Sequence, residues 1–168
     1  MITLRNLAHT RRSAFSMLEL VVIVVILAIL AGVLVPVAGD RPNDELDGRR
    51  ASDLKAVQDA LELYHLDHGA YPSTAGKWVG DAPNYGCRGY DGDGYIPELV
   101  PDYLPALPKD PDDRYPIGGA GYLYRSDGTN YKFLAHKTPT RFDAEHPYHD
   151  PTRPTWAWQV SSTGATRW

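Results

Sequence analysis

Residues 20–35 form sixteen consecutive positions without a polar side chain, directly behind a single carboxylate, Glu19. With residues 15–18 in front and Val37 and Ala38 behind, a helix over 15–38 reaches about 35 Å at 1.5 Å per residue, enough to cross the hydrocarbon of a bilayer. No other feature constrains the chain as strongly, because this segment must leave water and only about 130 residues remain for one modest domain outside the membrane. Arg5, Arg11 and Arg12 precede the run, while all 21 acids lie from Glu19 onward. That asymmetry predicts residues 1–14 in the cytoplasm and everything after Asp40 outside it. The acid is the anomaly. A charge at the centre of a spanning helix costs about 2.5–3.5 kcal/mol, so Glu19 needs a compensating partner or a place in the headgroup region near Arg12.

Three ordinary N-terminal signals compete with a dedicated role for this segment. A secretory signal peptide processed at "PVAG" is opposed by the length of the run and by Pro36 and Gly39 at the cleavage site. A twin-arginine signal at Arg11 and Arg12 is opposed by the hydrophobicity behind it. A plain signal anchor remains compatible with hydropathy.

Net charge is −4, but without the three leader arginines 14 of the 17 basic residues would face 21 acids, a net of −7. No basic footprint for nucleic acid survives that removal. Cys87 is the only cysteine, which excludes an intramolecular disulfide and any cysteine pair for zinc or haem.

The residues "AFSMLE", 14–19, followed by the Val/Ile/Leu run, resemble the class III signal of the type IV pilin and pseudopilin superfamily. In that family a short basic leader ends in a small residue, usually Gly, and a membrane peptidase cuts before Phe or Met. The resemblance implies cleavage between Ala14 and Phe15, methylation of the new Phe15 amine, and Glu19 as the acid four residues behind it. Ala14 departs from the usual Gly, and "FSMLE" from the commoner "FTLIE". Cleavage creates a positive α-amino group that the precursor lacks, and methylation keeps its charge. In a stack of parallel helices the amine of an incoming subunit can pair with Glu19 of its neighbour, a contact that sets axial register more than it adds net stability. Pro36 falls where the family carries a helix-bending proline. Its ring would clash with the carbonyl four residues earlier, at Gly32, which gives the backbone room; a helix end at the membrane surface is the other reading.

Residues 39–48, "GDRPNDELDG", combine Pro, two Gly and five charges and predict irregular or interrupted helix. Ala51, Leu54, Val57, Leu61 and Tyr64 then recur at spacings of three and four, predicting an amphipathic helix over about 46–68 that ends at Gly69 and Pro72. Its single apolar face must pack on something, most simply a small sheet. "HGAYP", 68–72, again resembles the family, whose first helix commonly ends in Tyr-Pro. His65 and His68 share a flank, but no third ligand is indicated, and they read as ordinary half-exposed histidines.

Residues 73–116 are rich in Gly, Pro, Asp and Tyr, a loop too long for a small domain unless something holds it. In "YDGDGY", 90–95, Asp91 and Asp93 can turn two carboxylates toward one calcium ion, or simply form a tight turn; the spacing is not that of an EF-hand. "ELVPDYLPALPKDP", 98–111, resembles the element before the sheet in major pseudopilins of type II secretion systems, with Asp112 replacing the usual aromatic residue. Strands follow at 121–126 and 130–136, joined by a turn at Asp127 and Gly128, and a last candidate covers 155–162, where Trp156 and Trp158 share one face and can pack on the helix. The resemblance also implies one calcium ion in a loop near the end of the sheet; residues 140–151, with Asp143, Glu145 and Asp150, occupy that region without the family's closing loop. No nucleophile elbow, phosphate loop or ordered acid-base pair stands out.

The expected fold is α+β: a long N-terminal helix, hydrophobic in its first half and amphipathic in its second, on an antiparallel sheet of about three strands with long loops. The expected parts are a cleaved leader, 1–14, a membrane and filament-core helix, 15–38, an amphipathic helix, 39–69, and a globular remainder, 70–168. Taken with the resemblance, these imply a structural, non-enzymatic subunit of the inner membrane, its C-terminal domain in the periplasm, that polymerises into a type II secretion pseudopilus supporting protein export. Its implied partners are copies of itself, lipid, the prepilin peptidase and methyltransferase, minor pseudopilins and an inner-membrane assembly platform, and it has no cofactor beyond possible calcium. A pilus for adhesion or motility and a monomeric membrane-anchored binding module are the alternatives.

Overall fold

A computed structural model describes residues 16–34, 41–82, 94–112 and 119–168. Ala14, Phe15, Pro36, Cys87, Asp91 and Asp93 lie outside the described residues. The chain divides into two units, Met1–Gly39 and Asp40–Trp168.

In the first unit, helix α1 spans Met17–Leu34 and includes Gly32. Ser16 starts it: the Ser16 hydroxyl accepts the Leu18 N–H at 3.3 Å, and the Ser16 carbonyl accepts the Leu20 N–H at 3.1 Å.

In the second unit, helix α2 spans Arg41–His68, which corrects the irregular start expected over residues 39–48 for every described residue from Arg41 on. Gly48 in a helix interior costs about 1 kcal/mol relative to alanine, but Asp47 and Arg50 on either side of it are anchored by tertiary contacts. The helix ends as expected, with Gly69 at φ 70° donating its N–H to the His65 carbonyl.

Four antiparallel strands form one sheet in the order β1-β2-β3-β4: Val79–Gly80, Gly121–Ser126, Tyr131–His136 and Ala157–Ser161. Strands β2 and β3 pair from Ser126 opposite Tyr131 to Gly121 opposite His136. The Asp127 carboxylate accepts the N–H groups of Thr129 and Asn130 and fixes the predicted turn, with Gly128 at φ 92°. Strand β1 is additional to the three expected. It is two residues long, and a side chain at Gly80 would put its Cβ 2.0 Å from the Tyr122 carbonyl oxygen, so only glycine fits the approach.

Helix α2 packs on β3 and β4, and the predicted stripe is the packed one. Leu54, Val57, Leu61 and Tyr64 are buried against Tyr122, Tyr124, Phe133, Trp158 and Val160, with Ala51 partly buried beside them. Each such side chain contributes about 1.5–3 kcal/mol by leaving water. The long loop is held by Tyr95, Ile96, Leu99 and Leu107, which enter the same core. Trp156 departs from the expected packing: β4 begins at Ala157, and Trp156 stands outside it, 46% exposed and 5.6 Å from the His136 ring, while Trp158 alone packs toward the helix.

The sheet's other face is also covered. Leu123, Leu134, Ala157 and Ala82 form a small second cluster beside Trp78, and β3 is buried along its whole length. Buried tyrosine hydroxyls find acceptors, as Tyr122 on Asp53 at 2.7 Å, Tyr124 on the Pro72 carbonyl at 2.8 Å and Tyr64 on Glu98 at 2.5 Å. The Glu98 bond, with burial, pushes the Tyr64 phenol up to about 12.

Candidate functional site

Glu19 occupies the third position of α1, in its first turn. Ser16 and Glu19 have the S-x-x-E spacing of a capping box, a signal present in the sequence that the membrane reading passed over. Ser16 caps the helix through the Leu18 N–H rather than the Glu19 N–H that the box would use, and the Glu19 side chain is exposed. A carboxylate here also faces the positive end of the helix dipole, worth about 0.3–1 kcal/mol at an exposed site. Around and behind it the helix shows apolar side chains on every side: Met17, Leu18 and each residue of 20–27 are exposed. A helix apolar all round is stable only when lipid or other protein covers it. Among the described residues no helix is long and apolar enough to cross a membrane; the predicted segment 15–38 begins before and ends beyond α1.

In the second unit, a buried charge network holds the "LPKDP" element, 107–111, against α2. Leu107 enters the core and the Pro108 carbonyl accepts the Tyr95 hydroxyl at 2.8 Å. Arg50, 1% exposed, donates from Nε (3.1 Å) and a terminal nitrogen (2.9 Å) to the two oxygens of Asp110, and from its other nitrogen to Asp47 at 2.8 Å. Asp47 in turn accepts the Thr140 N–H at 3.0 Å and the Thr140 hydroxyl at 2.6 Å. The fork geometry of guanidinium on carboxylate fixes orientation as well as distance. Burial works against the Arg50 charge, and Asp110 and Asp47 together more than offset it, leaving its pKa raised. Asp112 is buried and donates its N–H to Asp110 at 3.0 Å. The ties of Arg50 to Asp110 and of Asp47 to Thr140 were not legible in sequence, since their partners stand 60 and 93 residues apart.

Asp81 joins the same network, accepting the Asp110 N–H at 2.9 Å and, through a short bond, the Tyr122 N–H. Burial pushes its carboxyl up from 3.8 to about 6, against those two hydrogen bonds. Between those values the folded protein takes up a proton that the unfolded chain does not. The stability this contributes is present below about 4 and lost as pH rises through 6, a span of roughly 2–3 kcal/mol. Burial lowers the pKa of His136 and His146, which gives the opposite slope, so the comparison must isolate Asp81. In urea unfolding of the full chain, the stability of wild type relative to Asp81→Asn is expected to rise by about 1.4 kcal/mol from pH 7.5 to pH 5. A difference that stays flat contradicts the assignment.

The His65 ring lies 4.4 Å from Tyr71, and His68 is bonded to the Tyr64 carbonyl at 3.0 Å and lies 3.4 Å from the Tyr103 hydroxyl. Among the described residues no group of three or more His, Cys, Asp or Glu side chains is placed to hold a metal ion. Asp143 and Glu145 are exposed, and Asp150 is fully buried among protein cations, so the sequence's candidates near the sheet end are not gathered.

A long helix laid on one antiparallel sheet, in a chain that also carries an apolar helix headed by an acid, defines a pilin-like α+β subunit. The chain belongs to the family of type II secretion system core protein G, the major pseudopilin. It is 35% identical to the core protein G of Pseudomonas aeruginosa over 131 residues, covering 70% of this chain and 90% of that one. With the Vibrio cholerae protein it shares 35% identity over 123 residues, 70% of this chain and 73% of the relative. The Klebsiella pneumoniae protein is 36% identical over 97 residues, 55% and 69% of the two chains. No protein-family profile matches the chain, and no solved structure does.

Proposed function

We propose that this chain is the repeating subunit of a type II secretion pseudopilus, made as a precursor, cleaved between Ala14 and Phe15, methylated at the Phe15 amine and polymerised through its N-terminal helix to support protein export. The observation that carries the reading is the exposed, all-apolar surface of α1 behind Glu19, in a chain of this family. Before assembly, lipid of the inner membrane covers residues 15–38, with the second unit in the periplasm. After assembly, the helices of neighbouring subunits cover them. The charge of Glu19 is then met by the α-amine that cleavage creates, which explains why an acid is tolerated at the head of an apolar segment. Pro36, with Gly32 four residues before it, gives the emerging chain a change of direction. The prepilin peptidase, minor pseudopilins and an inner-membrane platform are the partners this scheme requires, and it requires no catalytic group.

The test is electron microscopy of cells producing the full chain together with a prepilin peptidase. Sheared fractions are expected to contain thin filaments built from it. A chain that remains monomeric in the membrane with the peptidase present contradicts the reading.

A further inference from the structure

The family resemblance implies a calcium ion near the end of the sheet, and the residues this chain places there do not fit one. Asp150 is the buried acid of that region, and its oxygens are already engaged by protein cations. Its Oδ1 accepts the Lys132 ammonium at 3.0 Å and the Thr152 N–H at 2.8 Å, and its Oδ2 accepts Arg153 at 3.2 Å. Lys132 and Asp150 are both 0% exposed. The same ammonium donates to the Thr166 carbonyl at 3.1 Å and to the Trp168 oxygen at 3.1 Å, so its three protons meet three oxygens. Arg153 also donates to the Trp168 oxygen, at 2.8 Å.

A calcium ion needs six to eight oxygen ligands drawn from carboxylates, backbone carbonyls and water. Here a carboxylate from the loop after His149 and two backbone oxygens from residues 166–168 converge, but on a nitrogen carried by β3. A divalent ion entering this cage would meet two positive side chains at contact distance. The arrangement is reinforced outside the cage. The Arg125 guanidinium lies 4.8 Å from the Trp168 ring and 5.8 Å from Trp78, and Arg153 lies 5.3 Å from Trp78, so Trp168 is held by both its backbone and its ring.

We propose that the Lys132 ammonium, held by Asp150 and the backbone oxygens of Thr166 and Trp168, closes the end of the sheet in place of a divalent cation. The loop after His149 and the C-terminal segment are thereby fastened to β3 by a cation encoded in the chain itself. The domain is then closed at this point whatever the calcium concentration outside the membrane. This concerns the folded domain and stands whether or not the chain polymerises.

The experiment uses the full chain carrying Asp91→Asn and Asp93→Asn, which removes the acids offered as calcium ligands away from the end of the sheet. Unfolding followed by tryptophan fluorescence is expected to give the same Tm in millimolar calcium chloride as in excess EGTA. Adding Lys132→Met, which keeps most of the stem and removes the charge, is expected to lower Tm by about 10 °C or more in both solutions. A Tm several degrees lower in EGTA with Lys132 intact overturns the proposal, and so does a Lys132→Met chain that melts with its parent. Should Lys132→Met fail to fold, that failure counts with the expected loss, and the EGTA comparison on the chain with Lys132 intact still decides whether calcium is needed.

Discussion

Replacing Glu19 with alanine is expected to remove filaments from cells while leaving the chain inserted and processed. The substitution deletes a charge from an otherwise apolar segment, so it makes entry into lipid easier. Its cost falls on assembly, where the α-amine of each incoming subunit would be left without its partner in a low-dielectric core. Breaking one side of a buried ion pair costs about 3–5 kcal/mol, a factor of about a hundred or more in the affinity of each added subunit. A polymer multiplies that loss along its length. Electron microscopy, with membrane fractionation and the size of the processed chain as controls, measures the three quantities together. Glu19→Ala filaments at wild-type abundance would mean that Glu19 serves only its local place near Ser16, at the start of α1. Loss of insertion or cleavage would also count against the pairing.

The second large effect is expected at Arg50. Arg50→Ala leaves Asp47 and Asp110 facing each other without a cation, at side chains only 9% and 7% exposed. The expected loss is about 3–5 kcal/mol, a large part of the roughly 5–15 kcal/mol that holds a domain of this size together. Because the charge penalty disappears with the charge, Asp110→Ala in the same chain is expected to recover part of the loss. A double-mutant cycle read by urea unfolding should therefore show a coupling of at least about 2 kcal/mol between Arg50 and Asp110. Strict additivity would mean the two side chains act independently. The consequence is wider than one bond, since Asp110 also ties to Asp81 and Asp47 to Thr140. Arg50 thereby holds α2, the element 107–111 and the segment after β3 in one arrangement.

Legibility in the sequence followed physical range. Leu54, Val57, Leu61 and Tyr64 announced their face by helical spacing, and Asp127 and Gly128 announced a turn, because both signals lie within a few residues of each other. The first turns of α2 were obscured by Pro42 and Gly48, whose local preferences yield to the contacts of Asp47 and Arg50. Strand β1 carries no alternation, being two residues held by its close approach to β2. Lys132 reads as a solvent-facing residue of an alternating strand, and only the C-terminal segment folding over that face makes it interior. Glu19 is different in kind: its place was plain in the sequence, but the partner proposed for it, the α-amine of a cleaved chain, is absent from the uncut one.

That dependence on cleavage locates the most direct test. N-terminal sequencing and mass determination of the chain recovered from cells with an active prepilin peptidase should find Phe15 as the first residue, carrying one added methyl group. An intact Met1, or a first residue after Ala38, would leave Glu19 without the amine on which the assembly account rests.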